Sequence, residues 1–178
     1  PYVTADVISG YASVNNLFSN HASVSAGSRK WYLNLGGTYA KAGNLRTPDG
    51  MLPNSRYNTS NISAKLGIRP LANHLFKIQY QRNWSWDVGV PGGDAFPGPA
   101  KATYTDIGRH LLSASYRISN ITEKWTALEL KYFTQYIARE VMMEPNTVTQ
   151  ANLPNGNVQR TTPEVFYPNG YHLTNGVQ

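Results

Sequence analysis

Residues 76 to 86, Phe76-Lys77-Ile78-Gln79-Tyr80-Gln81-Arg82-Asn83-Trp84-Ser85-Trp86, decide the fold. Phe76, Ile78, Tyr80, Trp84 and Trp86 alternate with Lys77, Gln79, Gln81, Asn83 and Ser85. Side chains of a strand point to opposite faces in turn, so this period of two gives one apolar and one polar face. Just upstream, Ile62, Ala64, Leu66 and Ile68 share one face, and Asn61, Ser63, Lys65 and Arg69 the other. Downstream, Leu112, Ala114, Tyr116 and Ile118 alternate with Ser113, Ser115, Arg117 and Ser119. Leu128, Leu130, Tyr132 and Tyr136 then alternate with Glu129, Lys131 and Gln135. Near the start, Trp31, Leu33, Leu35, Gly37 and Tyr39 oppose Tyr32, Asn34 and Thr38, and two weaker strands are read near 3–14 and 17–27.

The connections differ in kind from one end of the strands to the other. Gly27 to Lys30, Pro70 to Asn73 and Asn120 to Glu123 are short and carry turn-forming residues. Residues 41–57, 87–106 and 140 onward are long, rich in Pro, Gly, Asn and Asp, and lack alternation. Long antiparallel strands with short turns at one end and long loops at the other define a transmembrane β-barrel of the bacterial outer membrane, with periplasmic turns and extracellular loops. Eight residues at about 3.3 Å each put Trp31 roughly 26 Å from Tyr39, close to the apolar band of about 25 Å between aromatic girdles. On this scheme Trp31, Phe76 and Tyr116 form a belt at the turn side, and Tyr39, Trp84, Trp86 and Tyr136 one at the loop side. Trp125 falls on the parity of Glu129 and Lys131 and breaks the pattern.

The competing fold is a soluble β-sandwich, whose strands also alternate but average about 5 to 6 residues. Strands of ten or more residues favour the membrane. Composition agrees: twelve Tyr and four Trp accompany only 15% charged residues, and mean hydropathy is −0.43. No run approaches the roughly 20 apolar residues of a membrane helix, whereas alternation leaves a barrel's average hydropathy low. The net charge of +6 and pI near 9.6 raise nucleic-acid binding. The cations are scattered and no RNA- or DNA-binding motif accompanies them, so that partner is not expected.

Catalysis, cofactors and metals are not expected either. His21, His74, His110 and His172 lack metal-ligand spacing, and the chain has no Cys. Val88-Gly89-Val90-Pro91-Gly92-Gly93-Asp94 is glycine-rich, but no Gly-Lys-Ser/Thr follows, which makes it a flexible loop. Four Asn-X-Ser/Thr sequons are accidents of an Asn- and Ser-rich sheet. His110 and Ser113 lie three apart on a strand and so point to opposite faces, which removes a nucleophile–base pair; Ser115 fares no better. The candidate ligand residues are Asp87, Asp94, Phe96, Tyr104 and Asp106, carboxylates and aromatics in the 87–106 loop at the outer surface. The competing view is that they only order the loop. Arg82 shares the outward parity of Tyr80 and Trp84. Its expected place is the outer interface, within reach of lipopolysaccharide phosphates, unless a β-bulge turns it inward.

Beyond pattern, the wording resembles a known family. The run Thr47-Pro48-Asp49-Gly50-Met51-Leu52-Pro53-Asn54-Ser55-Arg56-Tyr57 continuing to Arg69-Pro70 resembles an extracellular loop re-entering the barrel in TonB-dependent receptors. Asp87-Val88-Gly89-Val90-Pro91-Gly92-Gly93, Ala100 to Asp106 and Arg109-His110-Leu111-Leu112-Ser113-Ala114-Ser115-Tyr116 extend the likeness. It runs from about Tyr11 to Gly176, and its motifs are diffuse. The resemblance implies a barrel of about 22 strands occluded by a plug, importing an iron chelate, haem, cobalamin or similar scarce nutrient with energy delivered by the TonB complex. About seven strands are readable, and an open sheet in lipid leaves two unpaired edges. Residues 1–178 are therefore expected to be one partial barrel domain, with the plug and the remaining strands elsewhere. Outer-membrane lipid and lipopolysaccharide, the TonB complex and those strands are the expected partners. A passive porin, or a surface binding or structural subunit of a larger membrane assembly, are the alternatives.

Overall fold

The computed structural model describes residues 1–91, 100–145, 149–161 and 164–178. Its strands are β1 Tyr2–Ala12, β2 Leu17–Gly27, β3 Trp31–Ala42, β4 Leu45–Thr47, β5 Gly50–Leu52, β6 Tyr57–Ile68, β7 His74–Trp86, β8 Val88–Gly89, β9 Ala100–Ser119, β10 Ala127–Pro145, β11 Thr149–Asn152, β12 Val158–Thr161 and β13 Asn169–Val177. One antiparallel sheet carries the order β1-β2-β3-β6-β7-β9-β10-β13, with β8 beside β9. Every long strand pairs with its neighbour in sequence, so the sheet is an uncrossed meander. It is open, with β1 and β13 as its edges.

The layer has no second sheet behind it among the described residues. Accessible surface totals 12487 Å², against about 8,600 Å² for a compact soluble monomer of this mass. Among the described residues the buried apolar ones are Ala40, Ala42 and Ala102, while Val7, Leu35, Ile62, Leu112 and Leu130 are exposed. A sandwich would cover one face of each sheet, and the described residues form neither that cover nor the buried core it would create.

Directly paired residues share a face, and the register shows one parity running across the whole sheet. One cross-strand row reads Val24, Leu35, Ala64, Tyr80, Leu112 and Thr134. The adjacent row on the opposite face reads Ser25, Asn34, Lys65, Gln79, Ser113 and Phe133. The assignment of Ile62, Leu66, Ile78, Tyr80, Leu112, Tyr116, Leu128 and Leu130 to one face and of Lys65, Gln79, Arg117 and Glu129 to the other therefore agrees with the pairing. On the polar face Tyr32 lies over its partner Gly67, and Phe133 over its partner Gly176. A side chain at either glycine would collide with the ring, so the bare backbone is what lets the aromatic pack flat.

Strand limits differ from the sequence expectation in several places, the loops of residues 41–57 and 87–106 among them, where β4, β5 and β8 form. Strand β9 starts at Ala100, inside the expected loop, and β10 continues through Pro145. Lys101 and Glu144, paired opposite each other, form an ion pair at 2.7 Å in this extension. Both side chains of this pair are solvent-exposed, so nothing there enforces alternation. Asn169–Val177, expected as loop, is strand β13 paired with β10. Its Gly and Asn residues lower β propensity, and its partner supplies the order. Lastly, β1 and β2 join through Ser13–Asn16 at the loop end, with Asn16 at φ 50°. That end therefore also holds one tight turn.

Candidate functional site

The loop end is knitted together by Asn54. This residue sits in the left-handed region at φ 54°, which Asn tolerates better than most residues. Its Nδ2 donates to the carbonyls of Val90 at 3.0 Å and Ala102 at 2.7 Å, and its Oδ1 accepts from the Thr103 hydroxyl at 3.1 Å. The Gly89 amide donates to the Arg56 carbonyl at 3.0 Å. Asn44 Oδ1 accepts from the Ser55 and Arg56 amides. The β4–β5 hairpin is tied in turn to the first hairpin, where the Gly43 amide donates to the Asn15 carbonyl and that of Arg46 to Val14. Sequence reading treated residues 41–57 as plain loop. Side-chain capping of this kind has no period and left no signal.

Of the five candidate ligand residues, the three that the structure describes, Asp87, Tyr104 and Asp106, do not converge. Asp94 and Phe96 lie outside the described residues. Asp87, at φ 51°, makes the sharp exit from β7. Register shifts between Glu140 and Val141, which pair with Asp106 and Tyr104, so Thr105 is an extra residue on β9. Such a bulge re-aims side chains. Asp106 stays on the apolar face, where its Oδ2 accepts from Trp84 Nε1 at 2.9 Å. Tyr104 turns to the polar face, lining a cavity of about 390 Å³ with Ile137, Arg139, Val141 and His172. Tyr104 and Asp106 are wall residues on opposite faces, and Arg139 and His172 are the neighbours that sequence reading missed. His172 could not be placed without β13.

The aromatic residues expected as belts lie on the apolar-parity face. Trp31, Ile68, Phe76 and Tyr116 form one cross-strand row. Toward the loops, Tyr39 stacks at 6.2 Å from Trp86, which lies 4.6 Å from Trp84; Tyr136 is on the same face, opposite His110. Register is unbroken at Arg82, which pairs with Ile62 and His110, so no bulge turns it inward. Its guanidinium lies 5.2 Å from the Trp84 ring, and its buried Nε has no hydrogen-bond partner. His110 Nδ1 meets the Tyr80 hydroxyl at 2.9 Å, His21 Nδ1 meets that of Thr38 at 2.9 Å, and His74 is bonded to Tyr116. Three of the four histidines thus have sheet partners. Trp125, outside the strands, is exposed in the β9–β10 turn.

The polar face carries two further grooves. At mid-height His21, Thr38, Asn61, Asn83 and Arg109 line one of about 220 Å³. There Arg109 Nε donates to Gln135 at 2.8 Å, and Asn61 Oδ1 is a buried acceptor lacking a partner. Nearer the turns Lys65, Lys77, Gln79, Ser113, Ser115 and Lys131 line one of about 390 Å³. A sheet with one mainly apolar face rich in aromatics and one hydrogen-bonding face has the organisation expected of a sector of barrel wall.

A comparison with solved structures supports that class. The copper transporter OprC matches with a TM-score of 0.64 at 17% sequence identity, over 79% of this chain and 21% of its own length. At that identity the likeness concerns the fold, and the chain spans about a fifth of that protein. No family model and no curated protein matches the sequence.

Proposed function

We propose that this chain forms part of the wall of a TonB-dependent outer-membrane receptor that imports a scarce nutrient such as an iron chelate, haem or cobalamin. The observation carrying this reading is the single parity of an open eight-strand meander, apolar on one side and polar on the other. The loop and strand wording of residues 47–70 and 87–116 supports the family, and so does the fold shared with OprC. On this reading the apolar face meets outer-membrane lipid, and Arg82 meets lipopolysaccharide phosphate. The polar face meets the lumen, and the cavity around Tyr104, Arg139 and His172 belongs to the outer vestibule. Copper, the cargo in OprC's name, joins the candidate nutrients. Uptake of radiolabelled ferric chelates, haem, cobalamin and copper is the test, in cells with and without the gene and with and without TonB. One solute is expected to lose energy-dependent uptake in both deletions. Gene-dependent diffusion of many small solutes, insensitive to loss of TonB, would establish a porin instead.

A further inference from the structure

The chain's cations are divided unevenly along the strands. Arg29, Lys30, Arg69 and Lys124 sit on the turn-end connections, and Lys65, Lys77, Arg117 and Lys131 on the polar face of the turn half. Against these eight stand two carboxylates, Glu123 and Glu129. Within this field three ammonium groups share one concavity. Lys77 and Lys131 both pair with Ser115 from opposite sides, which sets them two strands and about 10 Å apart. Lys65 pairs with Gln79 and is the diagonal neighbour of Lys77, about 7 to 8 Å away. Ser113 and Ser115 lie between them with hydroxyl donors, and the groove measures about 390 Å³, within the range of small-molecule sites.

Counter-charge is scarce around this groove among the described residues. Glu129 is the one carboxylate lining the groove, and its Oε2 stands 3.8 Å from Lys131 Nζ. Lys65 and Lys77 have no acidic partner among the described residues. In the loop half, by contrast, Lys101 is met by Glu144 on the neighbouring strand at 2.7 Å. Three like charges this close repel, and a wall that only needed solvation would interleave signs. A concave, one-signed site raises the local concentration of the opposite ion.

We infer that Lys65, Lys77 and Lys131, over Ser113 and Ser115, form a binding site for a multiply charged oxyanion, the phosphate or polycarboxylate group of a solute crossing the lumen. The assignment of that solute as cargo rests on the transport reading above, whereas binding itself does not. Each ammonium donates a charge-assisted hydrogen bond to one oxygen, and the serine hydroxyls complete the shell.

Calorimetric titration of the intact protein in detergent with citrate, inorganic phosphate and neutral glucose tests the site. Citrate or phosphate is expected to bind, with affinity falling as salt rises, and glucose not to bind. Lys65→Gln with Lys77→Gln should weaken binding by about tenfold or more, while Lys65→Arg with Lys77→Arg retains it, heat-modifiable gel mobility staying unchanged. If the double variant does not assemble, protection of Lys65 and Lys77 from acetylation by citrate in the wild type, read by mass spectrometry, decides the question. Absence of anion binding and protection in the wild type, or equal affinity in an assembled double glutamine variant, overturns the site. Anion binding in a protein whose uptake proves independent of TonB leaves the site standing and removes only the receptor reading.

Discussion

A residue's place on this sheet is set by two coordinates, its parity and its distance from the belts. Leu112 and Leu128 share the apolar parity but differ in height. Leu112 belongs to the row of Leu35, which stands four residues from both Trp31 and Tyr39, and so lies midway between the belts. Leu128 pairs with Ile118, one row beyond Tyr116 toward the turns, so it lies near the interface and not near the midplane. An arginine on the lipid side costs about 2 to 4 kcal/mol at the midplane and about 0 to 1 near the interface. Leu112→Arg is therefore expected to destabilise the folded protein by the larger figure, and Leu128→Arg to have little effect, in denaturant titrations in lipid vesicles. Equal costs at the two sites would remove the height assignment. If Arg82 pairs with lipid phosphate as proposed, Arg82→Ala should in the same assay destabilise more in vesicles containing lipopolysaccharide than in vesicles without it, beyond the loss of its contact with the Trp84 ring; equal effects in both would exclude the pairing.

The strands and the connections obey different rules. Within the band each strand must present an apolar face, which makes β3, β6, β7, β9 and β10 legible from period two alone. Outside it, order comes from particular side chains. Asn54 bonds to residues 36 to 49 positions away, and a Cβ at Gly89 would collide with its backbone. Losing three partly buried hydrogen bonds costs on the order of 1 to 3 kcal/mol of local order. Asn54→Ala is expected to raise amide hydrogen exchange at Gly89 and Val90 while leaving the β6–β7 and β7–β9 ladders protected. Unchanged exchange at those two amides would show that the loop is held by other contacts. The bulge at Thr105 belongs to this scale too, since one inserted residue decides that Tyr104 lies on the polar face while Asp106 does not.

At the scale of the whole molecule, the apolar parity runs unbroken across the sheet from Val7 on β1 to Leu173 on β13. A lipid-soluble carbene in reconstituted membranes is expected to label Ile62, Ile78, Leu112 and Leu130 and to spare Lys65, Gln79 and Glu129. Labelling of the second set would reverse inside and outside. Little of this sheet is buried because it is a single open layer with β1 and β13 at its edges; on the proposed function, lipid and neighbouring strands would cover it. The sequence by itself determined the strand class and the two faces, because a sheet with one apolar face imposes a period of two that any single strand displays. Tertiary structure alone decided what depends on pairing. It recruited the glycine-rich Asn169–Val177 as a strand, placed the bulge that separates Tyr104 from Asp106, made Asn54 the tie of the loop end, and brought Lys65, Lys77 and Lys131 from three strands into one groove. These are non-local contacts between residues with no common period, and only the register between strands fixes which of them meet.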